Sequence, residues 1–383
     1  MIKKAKRFPL VSVIIPMFNS AKFIPQTLES LLYQTMKDFE VIVVDDCSTD
    51  NSVEVVESFL DKFGGRLHII KLKKNTGMPG LPRNAGIRFA CGKYIFFLDS
   101  DDLYTKTALE ELSGLAEEYQ ADVVRTNSWF VLWNGKKKYE DDPSFYDMSE
   151  LLNPSNFTTR NELEPSFWSE PKLEPKDTIE RINIFLNWDT LWTSWLSFCR
   201  RDFLINNQIF FPKMRKSEDA PFVLSCSLFA ERYLRVPNAV YISRPRAGSV
   251  SREDDRNFDI EKYFHENVLP LKQGLNELEK VMNMLSFFKI YPNYYYAVLD
   301  FFCKKMFSWL IPMQSIYEKE PTFELNRFVQ KEFHADDALL ASHLFDTVNL
   351  QILRIKELEN RNKTLEETVK KLKNEILGIL DTK

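Results

Sequence analysis

Four apolar runs in the first 120 residues constrain the fold of this chain more than any other feature. They are VSVII (11–15), VIVV (41–44), LHII (67–70) and YIFFL (94–98). None alternates between apolar and polar residues, which is typical of strands buried on both faces of a parallel sheet. Helical patterns lie at 21–35, 51–63, 84–91 and 105–119. The alternation of strand and helix predicts an α/β fold with a doubly wound, mostly parallel sheet.

Each predicted strand runs directly into a polar segment. The four segments are PMFNS (16–20), DDCSTDNS (45–52), KKNTG (73–77) and DSDD (99–102). Parallel strands have their carboxyl ends at one edge of the sheet, and ligands bind there. We therefore expect the four segments to meet around a common site.

The segment DSDD places three carboxylates after the run YIFFL. Asp99 and Asp101 are two residues apart, so their side chains can face the same point. Adjacent carboxylates repel unless a cation binds them, and their oxygen atoms suit a divalent metal ion. Helix capping is the alternative, because Thr107 and Glu110 have the spacing of a capping box. The pattern of two Asp separated by one residue leaves both interpretations open.

Two more segments carry polar chemistry. Asp46 can accept hydrogen bonds from a nucleobase imide, or the pair Asp45–Asp46 can cap the helix that begins near Asn51. The loop NTGMPGLPRNAG (75–86) has three glycines, which permit close approach of the backbone, and Arg83 at the start of a helix suits a diphosphate. The loop matches neither G-x-G-x-x-G nor a P-loop, which disfavours a dehydrogenase or an NTPase.

Composition and residue spacing exclude several other functions. The net charge is −4, from 51 basic and 55 acidic residues, so the chain lacks the basic field of nucleic-acid-binding proteins. Five cysteines without a C-x-x-C pair indicate reduced, cytosolic thiols. The four histidines have no metal-ligand spacing. Charged residues interrupt the apolar stretch 294–312, which predicts a core helix, with contact at a membrane surface as the alternative.

Together these segments resemble, in order, the donor half of bacterial family 2 glycosyltransferases, which have the GT-A fold. The later segments SEDAPF (217–222) and YISRPRAGSVS (241–251) are similar to the acceptor-side motifs of that family. The resemblance covers about residues 9–250. Within the family, the wall teichoic acid and surface-polysaccharide glycosyltransferases are most similar, through the loop pattern G-x-P-G-x-P-R-N (77–84) and a helical tail.

The resemblance implies a donor site for a UDP-sugar. Pro16 and Phe18 would wall the uracil pocket, Asp46 would read the base, and Asp101 would ligate Mn²⁺ or Mg²⁺. The other members of the implied donor set are Asn75 and Arg83 for the nucleotide and diphosphate, Asp99 for the ribose or sugar, and Ser100.

The resemblance assigns catalysis to SEDAPF. Asp219 matches the general base that takes the proton of an acceptor hydroxyl, with Glu218 in support, and the product would have inverted configuration. The metal ion and Arg83 would stabilise the charge on the departing diphosphate. From the residues alone, Ser217-Glu-Asp followed by Pro221 is also typical of a helix start.

Two groups of residues are each open to a functional and a structural interpretation. Arg244, Arg246 and Ser249 either close over the diphosphate or acceptor, or form a solvated basic loop. The tryptophans either stack on acceptor sugars or belong to the core. They are Trp168, Trp188, Trp192 and Trp195.

The predicted organisation has four parts: the donor half of a GT-A domain (1–120), its acceptor-binding and catalytic half (121–255), a helical region (256–345) and a coiled coil (346–383). A proline-rich, acidic stretch at 136–180 is interpreted as an insertion or lid. The last part has apolar residues at heptad spacing with Asn362 at an a position, which predicts a homodimer or homotrimer. A helix folded back on its own chain is the alternative.

The sequence thus predicts a cytoplasmic, metal-dependent, inverting glycosyltransferase that associates peripherally, if at all, with the inner face of the membrane. Its partners would be a UDP-sugar and a glycan or polyol-phosphate acceptor, without nucleic acid. The Q-x-x-R-W element and membrane helices of processive family members are absent from the sequence, which favours one sugar per visit. The competing interpretations are a sugar-nucleotide pyrophosphorylase, whose glycine- and arginine-rich signature is missing, and a non-catalytic coiled-coil scaffold.

Overall fold

The computed structural model describes residues 8–132, 147–161, 169–187, 192–244 and 269–307. The chain divides into two compact units. The first comprises Met1–Asp255 and Gln273–Tyr295, and the second comprises Arg256–Lys272 and Tyr296–Lys383. All strands described below lie in the first unit.

The described strands form one mixed sheet with the order β3-β2-β1-β4-β9-β6-β10-β5, while β7 pairs with β6 and β8 with β10. The strands are β1 (Val11–Met17), β2 (Phe39–Asp45), β3 (Leu67–Lys71), β4 (Tyr94–Phe97), β5 (Leu103–Tyr104), β6 (Val123–Leu132), β7 (Phe157–Asn161), β8 (Lys172–Leu173), β9 (Ser197–Arg200) and β10 (Tyr233–Ser243). Neighbours among β1 to β4 are parallel, and so are β6 and β10. Antiparallel β9 joins these two parallel groups.

Helices of the first unit cover both faces of the sheet. The α-helices are α1 (Ile24–Leu32), α2 (Ser52–Glu57), α3 (Leu60–Phe63), α4 (Gly80–Phe89), α5 (Ala108–Glu118), α6 (Met148–Leu151), α7 (Thr178–Asn187), α8 (Arg201–Asn206), α9 (Asp219–Phe229), α10 (Leu269–Asn283), α11 (Ser286–Ile290) and α12 (Pro292–Phe307). Short 3₁₀ turns lie at Pro154–Asn156 and Ser194–Leu196. None of the described helices combines the length and apolar character that a membrane span requires.

The apolar runs predicted as strands are confirmed because both of their faces are buried. Val13 and Ile15 of β1 pack with Leu28 of α1 on one face. Ile14 points the other way and packs with Ile87 of α4 on the opposite face. Helix α4 lies directly on the strand at this point, because a methyl group at Gly86 would be 2.4 Å from Ile14 Cγ2. Both faces of the strand therefore call for apolar residues, and the one polar side chain, buried Ser12, is satisfied by Glu40 (2.6 Å).

The element boundaries differ from the sequence predictions in three places. The helix predicted at 51–63 is two short helices, α2 and α3. The helix predicted at 84–91 begins earlier, at Gly80. The stretch 136–180, predicted as an insertion or lid, contributes β7 and β8 to the sheet, so part of it belongs to the scaffold. The predicted coiled coil at 346–383 lies outside the described residues.

Candidate active site

The predicted meeting of the strand ends is confirmed by hydrogen bonds at one edge of the sheet. The segments after β1 and β2 are joined where the Asp46 amide donates to the Met17 carbonyl (2.8 Å). The segments after β1 and β4 are joined by the hydroxyls of Ser20 and Ser100, 2.7 Å apart. The segment after β3 joins through Thr76, whose amide donates to Asp46 Oδ1 (2.9 Å). We refer to this edge as the rim.

Asp46 is buried at the centre of the rim. Its carboxylate accepts hydrogen bonds from the amide and the hydroxyl of Thr76, at 2.9 and 2.8 Å. Helix α2 begins at Ser52, whose amide donates to Asp50 Oδ1 (3.0 Å). Capping of α2 by Asp46 is therefore wrong. The first amide of α2 bonds to Asp50, and Asp46 instead connects the end of β2 to the loop after β3 through Thr76.

The loops that follow the strands carry exposed side chains and strained backbone. Phe18 keeps 46% of its surface exposed, although it follows a buried strand. Pro16 is half-buried, and Asn75 is exposed with Oδ1 accepting from the Gly77 amide (2.7 Å). Three non-glycine residues have positive φ angles at the loops of this region: Asn19 (49°), Cys47 (63°) and Ser217 (63°). Backbone strain of this kind concentrates at functional sites, because the surrounding contacts must maintain it.

The turn 99–102 does not cap a helix. Strand β5 follows it directly, and α5 begins only at Ala108. The capping box of Thr107 and Glu110 is not formed, because the Thr107 hydroxyl donates to Glu111 and Thr107 makes no side-chain capping bond. The capping interpretation of Asp99 and Asp101 is therefore wrong.

Arg83 connects the turn to the start of α9. Its guanidinium is buried; Nη2 lies 2.8 Å from Asp99 Oδ1 and Nη1 lies 2.8 Å from Glu218 Oε1. Nη1 also lies 3.5 Å from Asp219 Oδ1. Helix α4 can present Arg83 here because Gly80 permits close approach: a methyl group at Gly80 would lie 3.2 Å from Glu218 Cγ. Residues 135 positions apart in the sequence thus share one ion-pair cluster.

The charges of this cluster shift the pKa values of its members. Burial lowers the pKa of Arg83, but the carboxylates of Asp99, Asp219 and Glu218 outweigh this effect and raise it. Burial and then the charge of Asp219 raise the pKa of Glu218 to about 8, against the opposing effect of Arg83. Burial also raises the pKa of Asp219, although Arg83 and Ser194 oppose the shift. The cluster therefore favours proton uptake by carboxyl groups that are usually ionised at neutral pH.

Asp102 and Arg244 have partners that the sequence did not reveal. Asp102 accepts from the Tyr241 hydroxyl and from the Arg244 amide, both at 2.7 Å. Burial, followed by Asp101 and Asp99, raises the pKa of Asp102. The Arg244 side chain is buried and donates to Gln26 Oε1 (2.6 Å), so the interpretation of Arg244 as part of a solvated basic loop is wrong.

The two described tryptophan candidates differ in burial and packing. Trp192 is buried and packs on Phe185, with ring centroids 5.4 Å apart, as a core residue does. Trp195 is partly exposed and stacks on Tyr241 at 4.3 Å. The remaining candidates, Arg246, Ser249, Trp168 and Trp188, lie outside the described residues.

Sequence reasoning missed Thr76 and Tyr241 as partners of the rim carboxylates, and Ser20 as the partner of Ser100. Each lies in or beside a quoted motif, but a hydroxyl carries no charge pattern that would identify its partner. Among the described residues, no group of three or more His, Cys, Asp or Glu side chains is arranged to hold a metal ion.

A mixed α/β sheet with helices on both faces and a polar rim at its strand ends has the GT-A-like architecture predicted above. The family described as "Glycosyl transferase family 2" matches residues 12–171, the part of the chain that runs from β1 to β7. The predicted resemblance is therefore confirmed.

Several curated proteins are similar to parts of the chain. The uncharacterized glycosyltransferase EpsJ of Bacillus subtilis is 31% identical over 244 residues, which cover 63% of this chain and 63% of EpsJ. The poly(ribitol-phosphate) β-N-acetylglucosaminyltransferase TarS of Staphylococcus aureus is 41% identical over 115 residues, covering 30% of this chain and 20% of TarS. The matches span less than two thirds of the length of these relatives.

A solved structure supports the fold assignment. The crystal structure of S. aureus TarS 1-349 superimposes with a TM-score of 0.54 and 22% identity, over 91% of each chain. The same fragment in complex with UDP-GlcNAc gives 0.53 and 23% identity, over 88% of this chain and 80% of that one. At this level of identity the likeness concerns the fold.

Proposed function

We propose that this protein transfers one sugar from a UDP-sugar to a hydroxyl group of a bacterial surface glycan, such as a teichoic acid, a capsule or a lipopolysaccharide-type acceptor. The observation that carries the proposal is Arg83, which contacts Asp99 on the donor side and Glu218 at the start of α9. A transferase needs its donor-binding and acceptor-activating groups next to each other, and this ion-pair cluster provides that arrangement. Similarity to TarS, named as a poly(ribitol-phosphate) glycosyltransferase, supports the acceptor class.

The nucleotide would bind between Phe18, Pro16 and Asp46. The exposed ring of Phe18 offers a stacking surface for uracil. A carboxylate has about four lone-pair positions, so the two hydrogen bonds from Thr76 leave Asp46 able to accept another from the imide of the base. Asn75, exposed on the loop after β3, would contact the nucleotide, and Asp99 and Ser100 would contact its ribose or sugar.

Asp101 would hold Mn²⁺ or Mg²⁺ together with the donor diphosphate. Carboxylate oxygens are hard ligands that suit either ion, and Mg²⁺ is commonly bound by one or two carboxylates plus substrate phosphates. This manner of binding fits a turn in which Arg83 pairs with Asp99, and Tyr241 and the Arg244 amide engage Asp102. The bound cation would neutralise negative charge on the leaving diphosphate. Arg83 would add a second positive charge at the same place.

Asp219 would act as the general base. It is the first residue of α9, it is partly exposed, and burial raises its pKa, which makes it a stronger proton acceptor than an ordinary Asp. It would remove the acceptor proton while the oxygen attacks the anomeric carbon from the face opposite the nucleotide, which inverts the configuration. Glu218, buried and bonded to Arg83, would orient the start of the helix.

The substitution Asp219→Asn tests this role. We expect UDP binding to be retained and transfer to fall about 10²–10⁴-fold, the usual contribution of a positioned base. The matched control is Asp202→Asn, which changes an exposed Asp in the first turn of α8 and should leave transfer unchanged. Binding can be measured by thermal shift with a panel of UDP-sugars with and without Mn²⁺. An active Asp219→Asn enzyme would remove Asp219 as base, whereas a wild type that binds none of the donors would favour the scaffold interpretation.

We also propose a cytoplasmic location with peripheral association at the membrane. All five cysteines are free, as expected in a reducing compartment. The acceptor would then be a surface-glycan precursor, and it would meet the UDP-sugar at the inner face of the membrane.

A further inference from the structure

The turn 99–102 is hydrogen-bonded to elements on two sides. On one side, the Ser100 hydroxyl lies 2.7 Å from that of Ser20, and the Thr27 hydroxyl of α1 donates to the Ser100 carbonyl (3.0 Å). On the other side lies the end of β10, which contributes Tyr241 and Arg244. These contacts come from segments far apart in the sequence, so the shape of the turn depends on the assembled domain.

Tyr241 bridges two residues of the turn through its hydroxyl. The Tyr241 oxygen accepts from the Asp99 amide (3.3 Å), while its proton is donated to Asp102 Oδ2 (2.7 Å). The ring is fully buried; it stacks on Trp195 at 4.3 Å and meets Tyr104 edge-on at 5.9 Å. The packed ring therefore holds the hydroxyl in one position, where it bonds to both Asp99 and Asp102, the first and last residues of the turn.

Arg244 supports the same turn with its backbone and side chain. Its amide donates to Asp102 Oδ1 (2.7 Å), and Nε donates to the Asp101 carbonyl. Nη1 donates to Gln26 (2.6 Å) and Nη2 to the Thr27 hydroxyl (3.0 Å), both on α1. A single buried guanidinium thus joins β10, α1 and the turn.

We propose that Tyr241, Asp102 and Arg244 are positioning residues that hold the turn in the shape in which Asp101 receives a divalent cation with the donor diphosphate, and Asp99 receives the ribose or sugar. This inference rests on the proposed function. Three carboxylates within four residues repel one another, and an unsupported turn would relax by moving them apart. Hydrogen bonds to Asp102, to the Asp99 amide and to the Asp101 carbonyl oppose that movement, so the cation meets a turn that is already ordered.

The test compares Tyr241→Phe with Tyr104→Phe. Both changes remove one buried hydroxyl from the same aromatic cluster, but the Tyr104 hydroxyl donates to the Phe97 carbonyl of β4 (2.9 Å), whereas the Tyr241 hydroxyl bonds to Asp99 and Asp102 of the turn itself. Mn²⁺ binding in the presence of UDP is followed through the electron paramagnetic resonance signal of free Mn²⁺. We expect Tyr241→Phe to weaken Mn²⁺ binding about tenfold, equal to about 1.4 kcal/mol. Tyr104→Phe should bind Mn²⁺ like the wild type.

Two further measurements separate positioning from a loss of fold. UDP affinity measured in EDTA should stay the same in both variants, because the base pocket does not depend on Tyr241. In a transfer assay, Tyr241→Phe should need about tenfold more Mn²⁺ for half-maximal rate, with kcat recovered at high Mn²⁺. Asp102→Asn, which keeps the size of the side chain, should weaken Mn²⁺ binding in the same direction.

The outcomes distinguish the inference from the proposed function. If the wild type binds neither Mn²⁺ nor Mg²⁺ with UDP, the metal role in the proposed function fails, and the inference fails with it. If the wild type binds Mn²⁺ and the two tyrosine variants behave alike, only the positioning role is overturned. A loss of UDP affinity in EDTA for Tyr241→Phe would also overturn it, because the change would then act on the whole site.

Discussion

Replacing Arg83 by glutamine should make the stability of this domain strongly dependent on pH. The Arg83 guanidinium lies within 2.8 Å of carboxylate oxygens of Asp99 and Glu218, and within 3.5 Å of Asp219. Without it, negative charges remain close together with little access to water. Removing one partner of a buried ion pair typically costs about 3–5 kcal/mol, and we expect a loss of this size at pH 8.

The loss should shrink as the pH falls. In the absence of Arg83, the pKa values of Glu218 and Asp219 rise further, because their largest opposing positive charge is gone. Folded wild type already binds a proton at Glu218 below pH 8, so the folded variant holds up to about one more proton; its stability is retained at low pH and lost as pH rises through the raised pKa. Each extra proton changes the free-energy difference by about 1.36 kcal/mol per pH unit, or about 2.7 kcal/mol between pH 8 and pH 6.

Urea unfolding at pH 6 and pH 8 measures this effect directly. We expect Arg83→Gln to lose about 3–5 kcal/mol at pH 8 and about 0.3–2.3 kcal/mol at pH 6, with an unchanged m-value. The matched control is Arg88→Gln on the same helix, where the guanidinium contacts the Asn84 carbonyl (3.3 Å) and the ring of Phe210. The control should lose less than about 1 kcal/mol, equally at both pH values. Equal losses for Arg83→Gln at both pH values would refute the charge-cluster argument.

The other predictions concern close packing and assembly. Gly80→Ala places a methyl group 2.7 Å from Phe211 Cβ and 3.2 Å from Glu218 Cγ, so it should cost about 1–3 kcal/mol in urea unfolding and lower transfer. Gly114→Ala on α5 is its control: no atom lies within 4 Å of the added carbon, and the change should stabilise by about 0.5–1 kcal/mol. Deletion of residues 346–383 should lower the number of chains per particle measured by light scattering; an unchanged number would favour a helix folded back on its own chain.

Strands β1, β2 and β4 were predictable because burial on both faces leaves a direct mark on the sequence, a largely apolar run. Strand β3, at the edge of the sheet, is only partly buried but keeps a short apolar run. Strand β9 has none, since Ser197–Arg200 is short and mixed in polarity, and its place between β4 and β6 follows from tertiary pairing. The mixed character of the sheet beyond β4 therefore could not be read from local patterns.

The location of the site could be predicted from the sequence, but most of its side-chain contacts could not. Strand topology brings Asp46 and Asp99 to one rim, and the sequence order of the strands was enough to infer that. The partner of Asp102 is Tyr241, 139 residues away, and nothing in either local pattern indicates the pairing. The sequence left a solvated basic loop open as one of two interpretations of Arg244, whereas its side chain is buried against α1.

The partners of the turn 99–102 change the argument about charge at the rim. From the sequence, a bound cation is the evident way to relieve three adjacent carboxylates. In the folded domain, Arg83 pairs with Asp99, while the Tyr241 hydroxyl and the Arg244 amide bond to Asp102. The fold therefore reduces the repulsion with its own groups before any ligand binds. A cation would add to a turn that is already shaped, so its affinity should depend on the residues that shape the turn as much as on the carboxylates.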